Sequence, residues 1–277
     1  MKSREDEALA RAAVDALTGQ LALAPKPGLP DPRDLDARTT RVDHRALRWS
    51  ARALTPGLAA MAASARRTGE PTAQLRAELG AIGRCAEHSV ALAGGGHRGA
   101  LWALGLLVAA AALDPRAGAP DVAATAKRIA AHPDRRAPRR PSRGSSISAK
   151  YGAAGARGEA KAGFPHVRRA LDTLATTRAA GATETQARLD ALLTVMSTLQ
   201  DTELLHTAGP LGLRQVQAGA RAVLEAGGTA TEAGSAALAA LDTDLHARAW
   251  SPRGSAGLLA GALFLDSLPV GPRTPAV

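Results

Sequence analysis

The chain has 277 residues, of which 45% are hydrophobic, 22% charged and only 2% aromatic, and it carries a formal net charge of +10. So few aromatic residues argue against a β-sandwich or barrel, whereas abundant alanine, leucine and arginine favour helix. A single cysteine, Cys85, excludes an internal disulfide framework and a cysteine-rich zinc site. The chain has no asparagine and so no N-glycosylation site. The charged stretch Met1 to Leu9 does not resemble a signal peptide, and the longest apolar run, the 14 residues from Ala100 to Leu113, is too short to span a bilayer. A cytoplasmic, all-α protein without membrane contact is expected.

In chain order, helices are expected at about 4–22, 43–66, 71–92 and 99–113. A proline- and glycine-rich break at 25–32 separates the first two, and Pro71 opens the third, a place proline tolerates. Between the third and fourth lies Gly94-Gly95-Gly96-His97-Arg98-Gly99, which formally fits G-x-G-x-x-G. The dinucleotide fingerprint needs a strand before it, and here Leu75, Leu79, Ile82 and Ala86 keep helical spacing. The Rossmann reading therefore fails. What remains is a glycine-lined turn at a helix N-terminus, with His97 and Arg98 beside it. It is either a phosphate-binding turn, built from backbone N–H groups, a helix dipole and a guanidinium, or a plain helix–helix connection. Glu87 shares a face with Gly80 and Gly83 and is either a site carboxylate or a surface one.

A helix at about 121–131 leads into the most basic stretch. From Lys127 to Gly144, seven Lys and Arg residues stand against Asp134 alone, and Pro133, Pro138 and Pro141 break any helix. Residues 132–146 are expected as an exposed, mobile, basic loop. The stretch has no aromatic residue on which a base can stack, so a solvated loop is a better reading than a nucleic-acid site. The glycine-rich segment Tyr151 to Glu159 then sets Arg157 beside Glu159, either for a phosphate with magnesium or merely in a loop.

Five more helices are expected at 160–178, 183–206, 211–226, 231–249 and 254–266. In 183–206, Leu189, Leu192, Leu193, Met196 and Leu199 recur at three- and four-residue spacing. The opposite face carries Thr194, Ser197, Thr198 and Asp201, which suits either a polar cavity or close helix packing. No Ser–His–Asp triad, H-E-x-x-H motif or P-loop is present. The fold expected is a single-domain, all-α array of about ten helices over residues 1–277.

Several runs carry a family resemblance. They are Ala24-Pro25-Lys26-Pro27-Gly28-Leu29, Ser50-Ala51-Arg52-Ala53-Leu54, the stretch His97 to Leu107, and Tyr151-Gly152 with Arg157-Gly158-Glu159-Ala160. Gly163-Phe164-Pro165-His166-Val167, Asp201-Thr202, Leu204-Leu205-His206, Gly227-Gly228 and Ser251-Pro252-Arg253-Gly254-Ser255-Ala256 continue them. In this order, over about residues 8–268, the chain resembles the triphosphoribosyl-dephospho-CoA synthases, and the wording at 97–113 is closest to the branch associated with malonate decarboxylase.

The resemblance implies an all-α transferase. The family's reaction joins ATP to 3′-dephospho-CoA and releases adenine. Its product, 2′-(5″-triphosphoribosyl)-3′-dephospho-CoA, is the precursor of the prosthetic group that a holo-transferase attaches to the decarboxylase's acyl-carrier subunit. The 2′-hydroxyl attacks C1′ of the ATP ribose, and an oxocarbenium-like transition state calls for a nearby carboxylate. Asp201, Glu159 and Glu87 are the candidate catalytic carboxylates, with Asp201 and Glu159 as the candidate magnesium ligands. Substrate contacts are implied at Lys26, Gly28, Asp43, Gly94, Gly95, His97 and Arg98. Further contacts are implied at Arg157, Thr202, His206, Ser251, Gly254 and Ser255.

The wording departs from the family in places. The glycine turn is two residues shorter than G-G-V-N-T-H-K/R-G, and Thr39 to Asp43 keeps only the last Asp of H-R-D-M-D. Glu203 stands where Asn or Cys is usual, Thr207-Ala208 replaces part of H-R-G-G, and Gly257 stands in place of Asp. A relative that binds nucleotide or CoA-like ligands without turnover is the alternative reading, and a basic helical nucleic-acid binder is a second.

Overall fold

The structure is a computed structural model that describes residues 2–35, 44–93, 95–138 and 140–269. Among the described residues there is no strand, so the all-α expectation holds. The helices are α1 (Lys2–Leu21), α2 (His44–Arg52), α3 (Thr55–Thr68), α4 (Ala73–Leu92), α5 (Arg98–Leu113), α6 (Ala119–Ala131) and α7 (Arg143–Tyr151). They continue as α8 (Gly155–Lys161), α9 (Pro165–Ala179), α10 (Glu184–Met196), α11 (Thr202–Thr207), α12 (Gly209–Glu225), α13 (Glu232–Ala247) and α14 (Arg253–Asp266).

Among the described residues fourteen α-helices stand in place of the expected ten, because two long segments break and two short helices form, α7 in the basic stretch and α8 in the glycine-rich one. Segment 43–66 divides where Pro56 opens α3, since proline has no N–H to continue α2. Segment 183–206 ends at Met196. The break is stable because α12 takes up the carbonyls it frees: Arg221 Nη1 donates to Ser197 O at 2.8 Å and Gln217 Nε2 to Leu199 O at 3.1 Å. Leu199 stays buried in the turn, so the leucine spacing runs past the helix that it marks. In the basic stretch, Ser142 caps α7 by accepting the Ser145 N–H, and Gly152 ends it in the left-handed region at φ 65°. Residues 143–146 are thus the first turn of a helix.

The core is organised around α5 and α14, which are buried along nearly their whole length. A helix apolar on all sides has no solvent face and must be central. Helix α5 packs on α3 and α14, α1 covers α3 and α14, and the α9–α10 pair closes the other side of α14. Truncating a fully buried residue of this core such as Phe264 to Ala costs about 3–5 kcal/mol.

Candidate active site

The α4–α5 turn is tied to α2. His97 is buried and donates its Nε2–H to Leu47 O at 2.8 Å, and a Cβ on Gly95 would run into the Ser50 side chain. Glycine is therefore required at 95 by the closeness of α2. No side chain caps the N-terminus of α5, so its first N–H groups are left for another acceptor. Burial holds the His97 imidazole below its usual pKa, and nearby Lys26 and Arg253 add to the effect. Lys26 is itself only 1% exposed and reaches Gln20 Oε1 at 3.3 Å. A cleft of about 430 Å³ opens here, lined by Arg84, Glu87, Gly95, Gly96, His97 and Arg98.

Glu87 organises one wall of that cleft. Its Oε1 accepts the Trp102 indole N–H and pairs with Arg98 Nε at 3.1 Å. Trp102 also lies under the Arg76 guanidinium, 6.0 Å from the ring centroid. Burial lowers the Arg76 pKa; Asp134 opposes this, while Arg157 and Arg84 reinforce it. Arg84 pairs with Asp134 at 2.7 Å. Arg98, Glu87, Trp102 and Arg76 thus form a chain of contacts, and Arg157 is near enough to Arg76 for their like charges to repel. Sequence reasoning missed Arg76 and Arg84, whose signal was their placement one turn either side of Gly80 on α4.

Asp201 is placed differently from the sequence expectation. It does not lie on a polar helix face with Thr194, Ser197 and Thr198, because the helix has already ended. Those hydroxyls serve local bonds: Thr194 to Thr173 at 3.0 Å, Ser197 to Thr194 O at 2.8 Å, and Thr198 to Arg169 at 3.2 Å. Asp201 instead caps α11, accepting the Glu203 N–H at 2.9 Å, and also accepts the Ser255 N–H from α14 at 3.1 Å. Burial pushes its pKa up, and backbone N–H groups of Glu203, Ser255, Leu204 and Gly254 pull it back. A Cβ on Gly254 would press on this carboxylate at 2.9 Å.

Helix α14 meets α5 at Gly257, where a Cβ would lie 3.2 Å from Ala100 N. This contact brings the Asp201 cluster beside the start of α5. It also gives glycine at 257 a packing reason, since a Cβ there would be tight against the Ala100 backbone and would require a shift of a few tenths of an ångström. Thr202 stands against Gly144 and Gly155, so α7 and α8 close over the start of α11. Ser251 and Ser255 bury hydroxyls that have no partner among the described residues. Gly28, at φ 65°, lies so close to the Trp250 backbone that no side chain fits. The structure does not bring in His206, which is exposed in the last turn of α11. Asp43 and Gly94 lie outside the described residues.

A magnesium ion held jointly by Asp201 and Glu159 does not fit these residues. Asp201 turns its oxygens to backbone N–H groups, and both oxygens of Glu159 are taken by His166. Among the described residues no group of three His, Cys, Asp or Glu side chains could hold a metal ion. No helix among them is long and apolar enough to cross a membrane.

A glycine turn, the uncapped start of α5 and the side chains of Arg84, Glu87 and Arg98 meet at one cleft of this all-helical protein. Residues 6–274 match the family described as ATP:dephospho-CoA triphosphoribosyl transferase. The chain is 48% identical over 270 residues to a Pseudomonas fluorescens Pf-5 protein named "Probable 2-(5''-triphosphoribosyl)-3'-dephosphocoenzyme-A synthase", covering 96% of this chain and 92% of that one. Proteins of the same name from Pseudomonas aeruginosa UCBPP-PA14 and Azotobacter vinelandii are 49% and 48% identical over 268 residues, covering 95% of this chain and 91% of each relative. No solved structure matches. The chain belongs to the ATP:dephospho-CoA triphosphoribosyl transferase family and is a transferase.

Proposed function

We propose that the chain makes 2′-(5″-triphosphoribosyl)-3′-dephospho-CoA from ATP and 3′-dephospho-CoA and releases adenine. The observation that carries this reading is the family match over residues 6–274, with relatives near 48% identity along almost the whole chain. The geometry supports it in a specific way. Both substrates are rich in phosphate; the uncapped start of α5 and Arg98 supply matching donors, and Lys26 and Arg253 add positive charge near His97. Arg84 adds to the positive lining, and Glu87 fixes Arg98. ATP enters with magnesium on its triphosphate, the ion arriving as part of the substrate. Asp201, Thr202, Gly254 and Ser255 hold the α11 and α14 N-termini at the site, a positioning role. The product feeds the prosthetic group of a malonate decarboxylase acyl-carrier subunit through its holo-transferase, in the cytoplasm. The resemblance of residues 97–113 supports that branch.

The test is to supply ATP alone, dephospho-CoA alone and both together, and to measure free adenine by chromatography. Release that requires both substrates supports the reading. ATP binding without any adenine release would instead support a relative that binds and does not turn over.

A further inference from the structure

Glu159 on α8 is buried, and both of its carboxylate oxygens turn to one residue. Oε1 accepts the backbone N–H of His166 at 2.9 Å, and Oε2 accepts its ring Nδ1–H at 2.7 Å. A carboxylate can only accept, so Nδ1 carries a proton, and in the neutral imidazole the lone pair is on Nε2. The turn between α8 and α9 is held tightly to set this geometry. Phe164 is buried at φ 56°, a left-handed conformation uncommon for a residue with a side chain, and its N–H bonds Glu159 O at 2.9 Å. Among the described residues nothing bonds His166 Nε2, and that atom is not sealed from solvent.

Contacts connect the helices that carry the pair to the turn that leads to Asp201. One turn further along α9, Arg169 donates to Thr198 at 3.2 Å, and the Ala154 N–H at the start of α8 donates to Gln200 Oε1 at 3.2 Å. The 197–201 turn, which ends at Asp201, is therefore bonded both to α9 and to the residue that precedes α8. Arg157, two residues before Glu159, is close enough to Arg76 for their charges to interact.

We propose that His166 is a catalytic base and Glu159 its positioning residue; this rests on the functional reading above. The 2′-oxygen of dephospho-CoA forms its bond to C1′ of the ATP ribose as the C1′–N9 bond to adenine breaks. The hydroxyl proton passes to His166 Nε2. The electron pair of the broken bond leaves with adenine, which takes a proton from solvent, and the imidazolium returns its proton to solvent. Glu159 faces the cation as it forms and stabilises it. Glu159 on α8 is the charged group bonded to the ring; Lys127 on α6 stands against Gly163 in the preceding turn, and Arg169 lies about one turn further along α9.

The test compares wild type with His166→Asn, which keeps an N–H donor near the position of Nδ1 and lacks Nε2, and with Glu159→Gln, which leaves the imidazole in place. For His166→Asn, kcat for adenine release falls by about 10²–10⁴-fold while KM for ATP and the melting temperature stay near wild type. The acid limb of kcat/KM, where a base must lose its proton to act, disappears, and added imidazole restores part of the rate. Glu159→Gln lowers kcat and moves that limb. Turnover by His166→Asn within about threefold of wild type overturns the proposal, as does a Glu159→Gln variant with unchanged rate and limb. If wild type releases no adenine from the two substrates, the functional reading fails first and this inference falls with it.

Discussion

Asp201 Oδ2 accepts the backbone N–H of Ser255 at 3.1 Å across 54 residues of sequence, so one buried carboxylate joins the start of α14 to the helix that it caps, α11. Replacing it by asparagine puts an N–H group where an acceptor is needed at one of the two helix ends. Asp201→Asn is expected to lower stability by about 1–3 kcal/mol, the range for leaving a buried donor unsatisfied. For a chain of this size that is a drop of several degrees in thermal melting, at about 2–4 °C per kcal/mol. An unchanged melt would show that the tie between α11 and α14 contributes nothing.

Arg98 lines the α4–α5 cleft, and Arg157 lies near enough to Arg76, which stands over Trp102, for the two charges to repel. If Arg98 and Arg157 both face one triphosphate, Arg157→Ala weakens ATP binding by about 1.5–3 kcal/mol, as expected for a lost charge-assisted hydrogen bond. Calorimetric titration with ATP measures this directly. An unaltered Kd would leave Arg157 as a surface cation.

His97 is buried with its pKa below the ordinary value of 6.5. The unfolded chain therefore takes up a proton at this position before the folded chain does, as pH falls through that ordinary value. Stability from this group is present above it and is lost toward acid. His97→Gln keeps a donor for Leu47 O and cannot protonate. The wild type should lose more melting temperature between pH 7.5 and 5.5 than His97→Gln. Equal losses in the two proteins would contradict a buried, neutral His97.

Gly95 and Ser50 occupy space that allows no Cβ at position 95. Gly95→Ala is expected to destabilise by about 1–3 kcal/mol through overpacking. Ser50→Gly in the same chain removes the obstructing atoms and should recover part of the loss. A double-mutant cycle with no coupling between the two positions would show that the turn does not rest on α2.

The helical class was legible because α5 and α14 are apolar on every side and α10 keeps leucine spacing. The end of α10 was not, since Leu199 is buried by a turn whose carbonyls are taken by Arg221 and Gln217 from a helix later in the chain. The same blindness affected the site. Glycines and cations near the α4–α5 turn were visible as local motifs, whereas the role of Asp201 depended on a helix 54 residues away. His166 stood within a run already singled out, yet its pairing with Glu159 depends on a left-handed Phe164 that spacing alone does not reveal.

The central claim is tested most directly by mass analysis of the products formed from ATP and 3′-dephospho-CoA. The account predicts free adenine and triphosphoribosyl-dephospho-CoA in equal amounts, each requiring both substrates. Hydrolysis of ATP to adenine without the joined product, or no adenine at all, would contradict it.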